Sequence, residues 1–310
     1  KSLPEPIKQL REAFEYPPSG LPIILYGAKG TGKRTLSQVI YENAARRGKI
    51  NENAKVFKIE FTPTNSEQVS LKIFGDGHKS GLIDQYDYIV FILAGAQYMS
   101  ESFQEKLCHL IEIGKSANTK KMKYLHKTIR YILLSDIHPH HFMVDCLLKN
   151  IPVLISLPLL KEKSKEEIEE LIIHFMINEG KKMNKIIKVS SSVLRALVNG
   201  DYSQNLIGLQ SAIQIMCASA LKENTGNKEV IIHTYHLPEY LLRTLPIVTD
   251  EDIVYIDTTA YKKSDQIDYI LDYFSMIVKS FFKDQDFQES LKDAQHHFDL
   301  LSDFLSYKQI

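Results

Sequence analysis

The chain has 310 residues, 44% hydrophobic and 25% charged, with 38 basic side chains against 38 acidic ones. That length leaves room for about two domains, and zero net charge gives no whole-chain field to draw nucleic acid or an anionic membrane. No apolar run approaches the ~20 residues of a membrane helix. Cys108, Cys146 and Cys217 are odd in number and far apart, which fits thiols in a reducing compartment rather than a disulfide framework. A cytoplasmic protein with no membrane contact is expected. The chain opens on Lys1 with no signal-peptide pattern, and is read as an excised piece of something longer.

Residues 7–14 form a short helix pattern, broken at Pro17-Pro18-Ser19-Gly20. An apolar strand at 22–26 then runs into Gly27-Ala28-Lys29-Gly30-Thr31-Gly32-Lys33-Arg34-Thr35. Beyond it, Leu36, Val39, Ile40 and Ala44 fall on one helical face, and Gly48 ends the helix. Strand, glycine-rich turn and helix make a phosphate-binding P-loop, Gly-x-x-x-x-Gly-Lys-[Ser/Thr], short of one residue. Its glycines let backbone N–H groups turn inward around an anion, and the helix N-terminus adds a positive dipole end. Lys33 reaches the outer phosphates. The next position calls for a hydroxyl to hold Mg²⁺ and carries Arg34 instead, which either pairs with a phosphate or blocks the metal. Gly27 through Thr35 are therefore the candidate cofactor-binding residues.

Four more short strands follow, at 56–61, 88–94, 130–135 and 152–157, with helical patterns between them, notably 102–113. The run Tyr88-Ile89-Val90-Phe91-Ile92-Leu93-Ala94 is apolar throughout, as expected for a strand covered on both faces. This alternation predicts an α/β fold with a parallel five-stranded sheet and the P-loop at its carboxyl edge. After Leu160 the pattern becomes helical. Ser164 reads as an N-cap before the stripe Ile168, Leu171, Ile172, Phe175 and Met176, and residues 190–198 and 206–221 read as further helices. The expected division is a nucleotide-binding α/β domain at 1–160, an all-helical lid at 161–245, and a helical tail or linker at 246–310 with long helices near 264–283 and 286–306.

An α/β P-loop domain followed by a small helical domain resembles the AAA+ ATPases. Gly27-Ala28-Lys29-Gly30-Thr31-Gly32-Lys33 is similar to the P-loop of bacterial sigma-54-interacting transcription regulators. Ile73-Phe74-Gly75 resembles their Leu-Phe-Gly, and residues 103–107 with Ile113-Gly114 resemble the helix after Walker B. Ile151-Pro152-Val153-Leu154-Ile155-Ser156-Leu157-Pro158 resembles the strand and proline turn before their lid, and the nearest likeness is to the LevR type, controlled by the sugar phosphotransferase system. The resemblance covers about residues 5 to 240. It implies ATP or ADP as ligand, assembly into a homo-oligomer, and a sigma factor of RNA polymerase as partner. DNA would be reached only through modules outside this stretch.

The chain also departs from that family. Ala94 and Gly95 stand where the two Walker B acids belong, which place Mg²⁺ and the attacking water. The sigma-contacting loop beyond Leu-Phe-Gly is missing, since Gly75 leads through Asp76 to Ser80 almost directly to the next strand. Leu147-Leu148-Lys149-Asn150 replaces the arginine fingers, and Asn205-Leu206-Ile207-Gly208-Leu209 lacks the lid's sensor arginine. No residue is assigned a catalytic or metal-binding role. The expected function is a regulatory or oligomerisation switch that binds nucleotide with little or no hydrolysis. Two alternatives stand beside it: an active ATPase with acids supplied by Asp84, Asp87 or Glu101, and a non-catalytic scaffold subunit. Ser135 or Asp136, at the end of the fourth strand, is either the polar sensor of the γ-phosphate or a strand-end cap. His138-Pro139-His140-His141 and Lys120, Lys121 and Lys123 are read as a surface turn and a solvated hairpin, rather than a metal site and a nucleic-acid loop.

Overall fold

The structure, a computed structural model, describes residues 4–16, 19–76, 78–115, 127–223, 228–243 and 253–256. Helix α1 (Pro4–Glu15) leads to β1 (Ile23–Tyr26), and α2 (Lys33–Arg46) follows across the glycine-rich turn. The chain continues through β2 (Lys55–Glu60), α3 (Ser66–Phe74), the one-turn α4 (Leu82–Gln85), β3 (Tyr88–Ala94) and α5 (Glu101–Lys115). Strand β4 (Thr128–Ser135), α6 (Asp145–Asn150) and β5 (Val153–Ser156) complete the first layer.

These five strands form one sheet in the order β2-β3-β4-β1-β5, and every pairing is parallel. The five-stranded parallel sheet read from the sequence is thus present, with β1 between β4 and β5. Alternate side chains of each strand point to opposite faces, and both faces are covered. Ile23, Leu25, Val90, Ile92, Ile132 and Leu134 pack with Leu10, Phe14, Leu36 and Ile40 of α1 and α2. Ile24, Phe91, Leu93 and Leu133 pack on the other side with Val69, Ile73, Phe103, Leu107 and Leu147 of α3, α5 and α6. This two-sided burial explains why β3 and β4 read as continuous apolar runs rather than as alternating ones. Arg130 of β4 brings a charge into the core. It donates to the carbonyls of Phe14 at 2.7 Å and Lys49 at 3.0 Å, which ties the ends of α1 and of the α2–β2 connection to the sheet.

The second unit starts at α7 (Lys165–Met183). Ser164 caps it as expected: its hydroxyl accepts from Glu167 N–H at 3.2 Å, while the Glu167 carboxylate accepts from Ser164 N–H. Asn184, at φ 53°, ends it in the left-handed conformation. Then come β6 (Ile186–Ser190), α8 (Ser191–Val198), α9 (Leu206–Glu223), β7 (Glu229–Ile232), the short α10 (Glu239–Leu242) and β8 (Ile253–Ile256). The expected helices at 190–198 and 206–221 are there. The unit is not all-helical, however: β7-β6-β8 form a small sheet, with β6 parallel to β7 and antiparallel to β8. Its strands are only four or five residues long, too short for an alternating run to announce them. The break at Leu245-Pro246 does not separate β8 from this sheet, and β8 is extended where a helical tail was expected. The long helices expected at 264–283 and 286–306 lie outside the described residues.

The lid core is continuous with the α1/α2 face of the large sheet: Leu157, Leu160 and Ile168 join Leu25 and Leu36 to Phe175, Leu209 and Ile213 in one cluster. Among the described residues, no helix is long and apolar enough to cross a membrane.

Candidate nucleotide-binding site

The turn after β1 sits between the carboxyl ends of β4 and β5, held by Gly27 N–H to Ser135 O at 3.2 Å and by Leu157 N–H to Tyr26 O at 2.8 Å. Gly27, Gly30 and Gly32 have φ of 143°, 82° and 95°, so the loop adopts left-handed turns that side chains rarely accept. Gly32 precedes the first turn of α2, and Leu36 N–H closes onto its carbonyl at 2.9 Å. The turn read from the sequence thus lies between a strand end and a helix N-terminus, where the first N–H groups of a helix lack intrahelical partners.

Lys33 is only 8% exposed. Its ammonium donates to Gly27 O at 2.7 Å and Ala28 O at 2.9 Å, and pairs with Asp136 Oδ1 at 2.9 Å. All three ammonium protons are thus engaged, and a phosphate must take the place of at least one acceptor. Thr31 Oγ1 turns back on Ala28 O at 2.9 Å, whereas the Lys29 side chain is exposed and Thr35 is half-buried in the first turn of α2. Arg34 points away from the loop to the carboxylate of Glu60, the last residue of β2.

At the end of β3, Ala94 lies in register with Glu60, and a cavity of about 210 Å³ opens between these residues, Leu134 and the Arg34–Gln38 flank of α2, with none of residues 27–33 in its lining. Gly95 has φ 71°, and a Cβ on it would come 2.4 Å from Phe61 O. Position 95 is therefore closed to any side chain unless the backbone moves. The acids considered as substitutes are elsewhere. Asp87 precedes the seven-residue β3 and pairs with Lys127 at 3.4 Å, about 20 Å of strand away from the crevice. Asp84 accepts from Gly81 N–H at the start of α4 at 3.1 Å, and Glu101 is exposed in the first turn of α5.

At the end of β4 the two sensor candidates separate. Ser135 is spent on its own turn, donating to Ile137 O at 2.7 Å and accepting from Ile137 N–H at 3.1 Å. Asp136 is the one that reaches the P-loop, through Lys33, and its N–H donates to Gln97 Oε1 at 3.3 Å. His138 accepts from His140 N–H through Nδ1 and packs on Tyr26, with ring centroids 4.7 Å apart. Among the described residues, no group of three or more His, Cys, Asp or Glu is arranged to hold a metal. Lys120, Lys121 and Lys123 lie outside the described residues.

Two contributors to the site are not apparent in the sequence. Glu60 gives no signal beyond its place at a strand end. Asn205 falls in the lid's sensor segment, but nothing local announces its contacts. It is 7% exposed with φ 52°, a conformation Asn tolerates better than most residues. Its Nδ2 donates to Lys29 O at 2.9 Å, and its Oδ1 accepts from Leu160 N–H at 3.0 Å. Next to it, Leu206 N–H donates to Gly30 O at 3.1 Å. A Cβ on Gly30 would lie 2.1 Å from Gln204 O, so the lid and the P-loop touch backbone to backbone. Ile207, within the segment that corresponds to the lid's sensor, is 44% exposed. Lys149, at the arginine-finger position, is exposed on α6. Where the contact loop is missing, Gly75 and Ser80 form an antiparallel bridge, and Asp76 accepts from His78 and Lys79 N–H.

No protein-family model matches the chain. It is 25% identical over 257 residues to the transcriptional regulatory protein LevR of Bacillus subtilis, which covers 79% of this chain and 27% of LevR. It is 27% identical over 237 residues to the transcriptional regulatory protein DagR of Salmonella typhimurium, covering 71% of this chain and 25% of DagR. The chain thus spans about a quarter of the length of these curated relatives. Among solved structures, it is similar to NtrX from Brucella abortus in complex with ATP, at a TM-score of 0.55 and 17% identity over 80% of this chain and 58% of that one. The ADP complex of NtrX matches at 0.57 and 18% identity, over 77% and 55%. A single-residue variant of RuvB from Thermotoga maritima matches at 0.52 and 14% identity, over 77% and 66%. These likenesses show the fold. It is that of AAA+ proteins: a P-loop on a five-stranded parallel sheet, followed by a lid.

Proposed function

We propose, from the premise that this is an AAA+ domain of the LevR-like type, that it binds ATP or ADP with little or no hydrolysis and serves a transcription regulator as a switch. Nucleotide is the ligand the cradle fits. Three glycines at positive φ precede a helix N-terminus, and the buried Lys33 is held by the loop's own carbonyls. A bound nucleotide would bring its phosphates to these groups, and Asp136 would release the ammonium to them.

The observation that carries the absence of turnover is the end of β3. Ala94 offers a methyl group, and Gly95 has no room for a carboxylate. An arginine finger alone is worth about 10³–10⁵ in rate, and Lys149 stands in its place. The carboxylate beside this wall, Glu60, is paired with Arg34, and neither Ala94 nor Gly95 offers a group to orient a water. The tight Gly75–Ser80 turn likewise leaves no loop to reach a sigma factor, so contact with polymerase would need other surfaces. The switch would act through a cytoplasmic homo-oligomer, with DNA held by modules outside this stretch.

The lid supports the switching part of this reading. Asn205 and Leu206 hold the carbonyls of Lys29 and Gly30, so any movement of the loop around phosphate is felt in α9. The same lock favours a second reading, a rigid scaffold subunit that binds nothing. Equilibrium titration of a fluorescent ADP analogue, with Lys33→Ala in parallel, separates the two. Saturable binding lost in Lys33→Ala supports the switch, and absence of binding to the unaltered chain leaves the scaffold.

A further inference from the structure

The residue after the P-loop lysine is where a hydroxyl normally holds Mg²⁺, and in this chain that position carries a cation of its own. Arg34 is paired with Glu60, and Glu60 stands in strand register with Ala94, at the wall from which a Walker B carboxylate would reach the metal. The donor set does not fit Mg²⁺, which needs oxygen ligands in near-octahedral geometry. Position 94 supplies a methyl, Gly95 excludes any side chain, and the Ser37 hydroxyl donates back to Arg34 O at 2.8 Å. The carboxylate that lines the cavity, Glu60, is already committed to a guanidinium. A divalent ion there would also sit against two like charges, Arg34 and Lys58, both of which line the cavity.

We infer that Arg34 takes the place of the metal, and that the site binds the polyphosphate of a nucleotide free of Mg²⁺. In the free protein Glu60 holds the guanidinium, and in the complex Arg34 exchanges the carboxylate for phosphate oxygens. The exchange is inexpensive because the pair is open to solvent, with the two side chains 66% and 60% exposed, and exposed ion pairs contribute little. A guanidinium suits this role, since its planar fork meets phosphate oxygens two at a time and never loses its charge. The inference rests on the nucleotide-binding reading above.

The test is titration of the unaltered chain with a fluorescent ATP analogue in EDTA and in excess MgCl₂, repeated with Arg34→Ala, Arg34→Lys and Glu60→Gln. The expected dissociation constant in EDTA is equal to or tighter than that in MgCl₂. In EDTA, Arg34→Ala weakens binding by about tenfold or more, as for loss of a charge-assisted hydrogen bond, while Arg34→Lys restores part of it. Glu60→Gln frees the guanidinium and tightens binding by about two- to fivefold. Because Arg34 and Glu60 are both exposed, none of these changes threatens the fold. Binding that requires MgCl₂, or that is indifferent to Arg34→Ala in EDTA, overturns the role of Arg34 and leaves the P-loop reading intact. No binding in either medium overturns both.

Discussion

The crevice has two walls built on the same sheet, and they carry different chemistry. On the β1 side, Gly27, Gly30 and Gly32 turn at positive φ around a buried Lys33, the arrangement proposed above as a phosphate cradle. On the β3 side, Ala94 and Gly95 hold no acid, and the backbone there has closed so tightly on Phe61 O that no acid can be added without moving it. Binding and turnover are therefore separable in this fold. A cradle of backbone N–H groups needs only the local turn and one lysine. Catalysis needs side chains converging from β3, β4, the lid and a neighbouring subunit.

The largest effect is expected from cutting the lid from the P-loop turn. Asn205→Ala removes partners from the part-buried Lys29 O and from the buried N–H of Leu160, and is expected to cost about 2–3 kcal/mol. Thermal or urea unfolding reads this directly, and a change below 1 kcal/mol (about the low end for a single such group) would remove the lock. Next comes Lys33→Ala, expected to weaken nucleotide by about 10–100-fold, the loss of a charge-assisted contact of about 1.5–3 kcal/mol. Isothermal calorimetry with ADP measures it.

Restoring the acids tests the other wall. Ala94→Asp with Gly95→Glu is expected to yield no phosphate release, and to lose about 1–3 kcal/mol from a side chain forced to a left-handed φ against Phe61 O. Appearance of ordinary ATPase activity in that variant would show that only two side chains separate this chain from a working enzyme. The smallest effect is at Asp136. Asp136→Asn removes a half-exposed negative charge from Lys33, and is expected to tighten ADP binding by about two- to tenfold, in keeping with a partly solvated ion pair. Weaker binding in Asp136→Asn would mean that the carboxylate positions Lys33 for phosphate rather than competing for it.

Much of the large sheet was legible because its order is written locally. Continuous apolar runs at β3 and β4, and a glycine-rich turn between β1 and α2, each report on a few consecutive residues. The absent acids were legible for the same reason, since Ala94-Gly95 can be read from the strand end alone. The small sheet of the lid was not, because β6 and β7 are short runs such as Ile186-Ile187-Lys188-Val189 whose partners are distant in sequence. Glu60 and Asn205 were missed for a related reason. An exposed Glu at a strand end and an Asn before a helix carry no local mark of the Arg34 or Lys29 they meet across 26 and 176 residues. Asp136 and Ser135 were distinguishable only by geometry, since either residue type can cap a strand end.

On the proposed reading, nucleotide is held and not consumed. The most direct measurement is to incubate the protein with labelled ATP above its dissociation constant, recover the bound fraction at intervals, and identify the nucleotide in it. The bound species is expected to remain ATP through hours, and Lys33→Ala to retain far less of it. Bound ADP with released phosphate, accumulating at the ~1 s⁻¹ or faster of ordinary enzymes, would contradict it.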